Sequence, residues 1–280
     1  MNLTRPAILL LLLPALLLVG LVFLLPIAGV LSLSVHGEAG FTLEPLRELF
    51  GSKVALLVLE RTFTLALSVT AICLALGYPA ALFMSGLSSR ARAWVTYLIL
   101  LPFWISILIR TYTWIVILGR EGIVNRGLAA VGAEPLQILY TDVAVRIGMV
   151  QILLPIVILA CLASMLDIDR DLVKAARVLG ASRWAAFRKV FLPLSLSGVA
   201  TGGIICFILC LGFYVTPALL GGRRSTIIAN LIDIQVHRTL NWGFAAVLAS
   251  ALLVSTLACL GIFRLLTRRR AGFAAAGFGK

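Results

Sequence analysis

Charge is scarce in this 280-residue chain: 12% of its residues are Asp, Glu, Lys or Arg, only 11 of them acidic, against 61% apolar. Soluble domains hold about 45–50% apolar residues, so a water-exposed globule is excluded and the chain reads as integral to a membrane. The short apolar/polar alternation of a barrel strand is missing as well, and long apolar runs with short polar connections suit helices, which close their backbone hydrogen bonds within each segment. Histidine is almost absent, with His36 and His237 far apart in sequence. The five cysteines, Cys73, Cys161, Cys206, Cys210 and Cys259, all fall within apolar runs, are odd in number and form no C-x-x-C pair. Cys206 and Cys210 share a helix face at i, i+4, where they read as small packing residues. No metal centre or nucleophile–base cluster can be assembled, which excludes an intramembrane enzyme. A phosphate-binding G-x-x-x-x-G-K-[ST] is missing too, since "GGRRST" at 221–226 lacks the lysine and the spacing.

What is present is a set of six runs able to cross an apolar core of about 30 Å, which takes roughly 20 helical residues. They lie near 7–34, 58–84, 94–119, 142–165, 192–217 and 242–266 of a single transmembrane domain, 1–280, of all-α class. Arg5 ahead of the first run imitates a secretory signal, but the run far exceeds a signal's apolar region and is read as a retained helix. Fourteen cations and three acids fall on the side that holds both termini, and the remaining ten cations stand with eight acids elsewhere in the chain. The excess of Lys and Arg makes that side cytoplasmic. The net charge of +13 therefore belongs to topology and gives no argument for nucleic acid, while Arg268, Arg269 and Arg270 suit anionic lipid. Connections at 35–57, 120–141 and 218–241 face the other side, the first carrying an amphipathic stretch with Leu46, Leu49, Phe50 and Lys53 at helical spacing.

The cytoplasmic loop 166–191 contains "KAARVLGASRWAAFRKVF", with five cations and no acid in that stretch. Asp169 is placed to cap a helix with Asp171 in its first turn and Arg177 in its last; Gly180 can end it left-handed, and Ser182 can cap a second helix at Arg183. On the first helix Leu172, Ala175, Ala176 and Leu179 share one face, and Arg170, Lys174 and Arg177 another. The alanine face can seat in a groove of another protein with the basic stripe at its rim. The same features also suit a helix lying on anionic headgroups.

At these residues the chain resembles the permease subunit of binding-protein-dependent ABC importers, whose loop carries Glu-Ala-Ala, three residues, Gly, nine residues, Ile-x-Leu-Pro. Ala175, Ala176, Gly180, Val190, Leu192 and Pro193 match at those spacings, and Lys174 stands where the family has Glu. The stretches "LGYPAALFMSGLS", "PFWISILIRTYTWIVILGREGIVN", "ILYTD" and "VTPALLGGRRSTIIANLI" are most similar to the spermidine/putrescine type. The resemblance implies a six-helix type I importer permease in the bacterial inner membrane that forms half of a solute path. A second permease, two copies of a cytoplasmic ATPase carrying the ATP and Mg, and a periplasmic solute-binding protein would complete it, with no cofactor in this chain. The contact with the ATPase falls to Asp171, Lys174, Ala175, Ala176, Arg177, Gly180, Ala181, Ser182 and Pro193. A polyamine is the implied solute, although another small amino or organic solute fits the same pattern.

Within the membrane, Pro79 removes one helical hydrogen bond and reads either as a hinge or as a packed bend, as do Pro102, Pro155 and Pro217. Arg110 falls well inside the third run, where a bare cation costs about 2.5–3.5 kcal/mol on insertion scales. It is expected to face the bundle interior, with Tyr112, Trp114, Asp142, Tyr214 and Thr216 lining or bracing the path, and Asp142 and Glu60 are the acids placed to meet it. An ion-coupled transporter working alone is the competing class, but it requires coupling acids at membrane depth, and none is evident.

Overall fold

The computed structural model describes residues 5–37, 40–222 and 225–276, with the side chains of most residues between 12 and 263. Arg223, Arg224 and Lys280 lie outside these residues, as do the side chains of Arg5, Arg264, Arg268, Arg269 and Arg270. In chain order, α1 (Arg5–Val19) passes through a π turn (Gly20–Leu24) into α2 (Leu25–Leu33), and β1 (His36–Gly37) pairs antiparallel with β2 (Gly40–Phe41). Next come α3 (Glu44–Gly51), α4 (Lys53–Ser85), α5 (Ser89–Leu100), a 3-10 turn (Leu101–Trp104), α6 (Ile107–Leu118), α7 (Ile123–Ala130) and α8 (Asp142–Leu166). After α9 (Arg170–Val178), α10 (Arg183–Ala186) continues through a π turn (Phe187–Phe191) into α11 (Leu192–Leu211); α12 (Val215–Leu220), α13 (Ile228–His237) and α14 (Trp242–Ala276) follow.

Five helical stretches among the described residues are long and apolar enough to cross a membrane: Leu12–Leu33, Lys53–Ser85, Asp142–Leu166, Arg183–Leu211 and Trp242–Phe263. Ser89–Trp104 and Ile107–Ala130 form a pair bent by 92°, which makes a sixth when the two are counted as one broken span. The expected third span, 94–119, is therefore not one helix. Pro102 has no N–H and its ring crowds the carbonyl of Leu98, so regular helix gives way to a 3-10 turn, and Ile105 and Ser106 are extended. The expected fifth span, 192–217, shifts in the other direction. It starts at Arg183 and stops at Leu211, where Gly212 ends the helix and Tyr214 leads into the short α12. Pro193 lies inside this continuous run rather than at its start. Both π turns stand just ahead of a proline, Pro26 and Pro193, each at the second position of the helix that follows. A widened turn relieves the clash of the ring with the preceding carbonyls.

Contacts divide the chain into two compact units, Met1–Leu59 with Leu231–Lys280, and Glu60–Asn230. In the first, α14 packs along α2 and α3, and the amphipathic α3 buries Leu49. In the second, α8 and α11 cross closely because small residues meet. A Cβ added at Gly198 would come within 2.6 Å of Ser164 Cβ and 3.0 Å of Cys161 Cα, and Gly202 sits against Val157 and Ala160. The Ser164 and Ser197 hydroxyls, 2.7 Å apart, join the same two helices, and the Tyr78 and Ser195 hydroxyls, 2.8 Å apart, tie α4 to α11. Such interhelical hydrogen bonds are worth about 0.6 kcal/mol on average in lipid, so close packing dominates this crossing. Large apolar side chains such as Leu67, Phe83, Leu98 and Val116 remain exposed on the helices, as a lipid-facing surface requires.

Candidate functional site

The loop between α8 and α11 is built from two capped helical ends. Asp169 Oδ1 accepts from the Asp171 N–H at 2.9 Å and starts α9; Ser182 Oγ accepts from the Ala185 N–H at 3.2 Å and starts α10. Between them, the Gly180 N–H donates to the Arg177 carbonyl at 3.1 Å and the Ala181 N–H to the Ala176 carbonyl at 3.0 Å, the pair of bonds that closes a helix through a left-handed residue. Gly180 has φ +91°, and a Cβ there would meet nothing within 4 Å. Glycine is needed for its backbone conformation rather than for space.

The faces of α9 are sorted as the spacing of its residues requires. Leu172, Ala175, Ala176 and Leu179 form one side, on which Leu172 is 50% and Leu179 87% exposed. Among the described residues, that face is left largely uncovered. The opposite side carries Arg170, Lys174 and Arg177 and turns back toward the ends of α4 and α8, where the Arg170 guanidinium donates to the Ser85 carbonyl at 2.7 Å. The cationic stripe thus borders a groove in this chain instead of flanking the exposed alanine face.

Lys174 Nζ lies 2.7 Å from Asp171 Oδ1, an exposed pair at i, i+3. This hydrogen bond, reinforced by charge attraction, holds the Asp171 carboxyl below its ordinary pKa and the Lys174 ammonium above its own. The lysine that stands where the family has Glu is therefore paired with an acid of its own helix.

The second group of residues lies within the membrane-spanning part of the same unit. Arg110 occupies the first turn of α6, just past the break, with its guanidinium 5.6 Å from the centroid of the Phe103 ring. Its Nε and Nη1 atoms are buried and donate to no partner among the described residues, so the expected pairing with Asp142 or Glu60 is not made. Asp142 instead opens α8 at its N-terminus, where the helix dipole favours a carboxylate, and the 92° bend re-aims α6. Thr216 is fully buried on α12, which packs on α6 and α8, and it abuts Gly148. Tyr112 is largely exposed, Trp114 is half-buried, and the Tyr214 carbonyl accepts from Asn230 Nδ2 at 3.3 Å.

Two features escaped the sequence reading. Asn125, buried on α7, donates to the carbonyls of Gly119 and Leu136 at 3.0 and 3.1 Å and accepts from the Leu136 N–H at 2.8 Å, clamping the connection ahead of α8. A lone amide following "GREG" in an apolar context was the available signal. Trp184, Phe187 and Phe191 stack in series at 5.7 and 5.8 Å along the run from α10 into α11, and their i, i+3, i+7 spacing on one helix face was the available signal.

Comparison with known proteins locates this architecture. The family model described as "Binding-protein-dependent transport system inner membrane component" matches residues 74–272. The spermidine/putrescine transport system permease protein PotB of Escherichia coli is 35% identical over 191 residues, 68% of this chain and 70% of its own length. PotB of Haemophilus influenzae is 37% identical over 187 residues, 66% of this chain and 65% of that protein. In three dimensions, a chain of a bacterial ABC transporter involved in the import of the acidic polysaccharide alginate superposes with a TM-score of 0.78 at 21% identity, covering 92% of this chain and 94% of that one.

Proposed function

This multi-pass chain belongs to the family of inner membrane components of binding-protein-dependent transport systems, and from that premise we propose that it forms half of the solute path of an ATP-driven importer whose ATPase docks on the loop 166–191. The observation that carries the coupling role is the exposed face of Leu172, Ala175, Ala176 and Leu179, seated on a loop whose second helix runs without interruption from Arg183 to Leu211. A force applied to that face passes directly into a membrane span. Small side chains on the face permit close backbone approach to a groove of the partner.

Asp171 and Lys174 keep α9 intact on the side away from this face, Arg177, Gly180 and Ala181 close it, and Ser182 orients the next helix. Nucleotide-driven closure of the paired ATPases draws this loop toward its counterpart on a second permease and switches the solute cavity between its two openings. To move such an equilibrium from 1:99 to 99:1, nucleotide must favour one state by roughly 5.5 kcal/mol. Both termini face the cytoplasm in this reading, as the distribution of Lys and Arg requires.

The solute is a polyamine, by similarity to permeases named for spermidine and putrescine, delivered by a periplasmic binding protein. Reconstitution with the ATPase, the second permease and the binding protein tests this: spermidine uptake is expected to require ATP, and uptake that runs on an ion gradient without the ATPase overturns it. A second reading has its own observation, the two buried guanidinium nitrogens of Arg110 that lack partners. An amino or organic solute carrying a carboxylate would supply them. Transport of such a solute, reduced by Arg110→Gln and unaffected by excess spermidine, identifies that case.

A further inference from the structure

A groove of about 450 Å³ opens where the span formed by α4 ends, bordered by the end of α8, by α9 and by the start of the helical run through α10. Its floor is apolar, made by Leu82, Met165, Phe187 and Phe191, the last two being the inner rungs of the stacked aromatic ladder. Its rim holds Arg170, Lys174, Arg177 and Arg183 and no Asp or Glu. Two of these cations are committed, Arg170 to the Ser85 carbonyl and Lys174 to Asp171. Arg177 and Arg183 are exposed and make no hydrogen bond or ion pair among the described residues.

We propose that this groove is a binding site for an anionic phospholipid of the adjoining leaflet, with the headgroup phosphate held by Arg177 and Arg183 and an acyl chain laid over Leu82, Met165, Phe187 and Phe191. The position of the groove decides for a lipid over an acidic protein segment. It lies where Lys53–Ser85 and Asp142–Leu166 both end and where the apolar run of α11 begins, which is the depth at which headgroups meet the hydrocarbon. A phosphate presented there needs two or more cations, and guanidinium forks match its oxygens in paired hydrogen bonds. The acyl chain accounts for the other half of the lining, which a soluble anion leaves in water. The exposed face of α9, by contrast, points the other way, so a lipid in the groove and a protein on Leu172 and Leu179 do not compete. Bound in this position, the lipid bridges α9 and α10 across the Gly180 corner and stiffens it.

The test uses the full chain in its assembled complex, exchanged into nanodiscs of phosphatidylcholine with or without phosphatidylglycerol, with retained lipid counted by native mass spectrometry. Phosphatidylglycerol is expected to be retained over phosphatidylcholine, and excess inorganic phosphate is expected not to displace it. Arg177→Gln and Arg183→Gln should each lower that retention about fivefold, the weight of one cation at a membrane surface. Arg177→Lys and Arg183→Lys should keep most of it, and Arg188→Gln, which alters a cation of the same run outside the groove, should leave it unchanged. Equal retention of the two lipids, displacement by inorganic phosphate, or an equal loss in Arg188→Gln overturns the proposal. So does unchanged lipid retention in the two Gln variants together with loss of ATPase association, an outcome that points to an acidic protein segment instead. The readout is lipid occupancy without nucleotide, so it stands or falls separately from the coupling role.

Discussion

At the scale of single residues, the corner at Gly180 isolates one physical effect, because nothing crowds the position where a side chain would be added. A residue with a Cβ is strained there only through φ +91°, at about 1–2 kcal/mol. Gly180→Ala should therefore lower ATP-coupled uptake while the subunit still inserts and assembles, and Gly180→Asn should lose less, since Asn tolerates this conformation; equal uptake by all three proteins would remove the corner from the coupling path. The Asp171–Lys174 pair yields a prediction about pH. The Asp171 pKa is depressed, so its contribution is present above the ordinary carboxylate range and fades as pH falls through the folded value; the Lys174 pKa is raised, so its contribution fades only as pH climbs through the lysine range. Between about pH 5 and 9, ATPase association should be insensitive to this pair. Titrating association in wild type and Lys174→Ala checks it, and a slope within that window that disappears in the variant would contradict it.

Among the elements, the π turns and the broken third span were the parts hardest to read from sequence. Hydrophobicity and length located the apolar runs, because a run of about 20 apolar residues has few alternatives, and the capping residues Asp169 and Ser182 marked the loop helices to the residue. Proline marked the irregularities without specifying their form. Pro102 ends in a 92° bend, Pro193 only widens a turn, and Pro79 stays within an unbroken helix. What separates these outcomes is the packing around each, which a linear sequence does not carry. Pro193→Ala should let Phe187–Phe191 return to regular α-helix, rotating α10 about the axis of α11 and misaligning the loop. Coupled uptake should fall with little change in thermal stability, which a paired transport and melting measurement resolves. At the α8–α11 crossing the expectation is reversed: Gly198→Val drives a side chain into Ser164 and Cys161 and should destabilise the fold by about 1–3 kcal/mol, lowering the melting temperature in detergent.

For the molecule as a whole, the family was legible from the loop spacing and the three longer stretches, but the arrangement of the candidate path residues was not. Arg110, Asp142 and Thr216 lie on elements that pack together, yet Arg110 meets Phe103 rather than a carboxylate. If Arg110 faces solute, Arg110→Gln should change uptake more than assembly, and uptake assayed beside complex yield distinguishes a path residue from a brace. The break at Ile105 and Ser106 reaches furthest. There the chain abandons helix part-way through a span, and Ser106 offers no side-chain cap to the first amides of α6. Hydrocarbon has no hydrogen bonds to give those amides, so bare backbone is tolerated at that depth only against protein or in a wet cavity. The subunit therefore carries an unfinished wall: if the proposed second permease completes it, the chain made alone should be an orphan that the cell's membrane proteases clear, and its lifetime should lengthen when that partner is supplied.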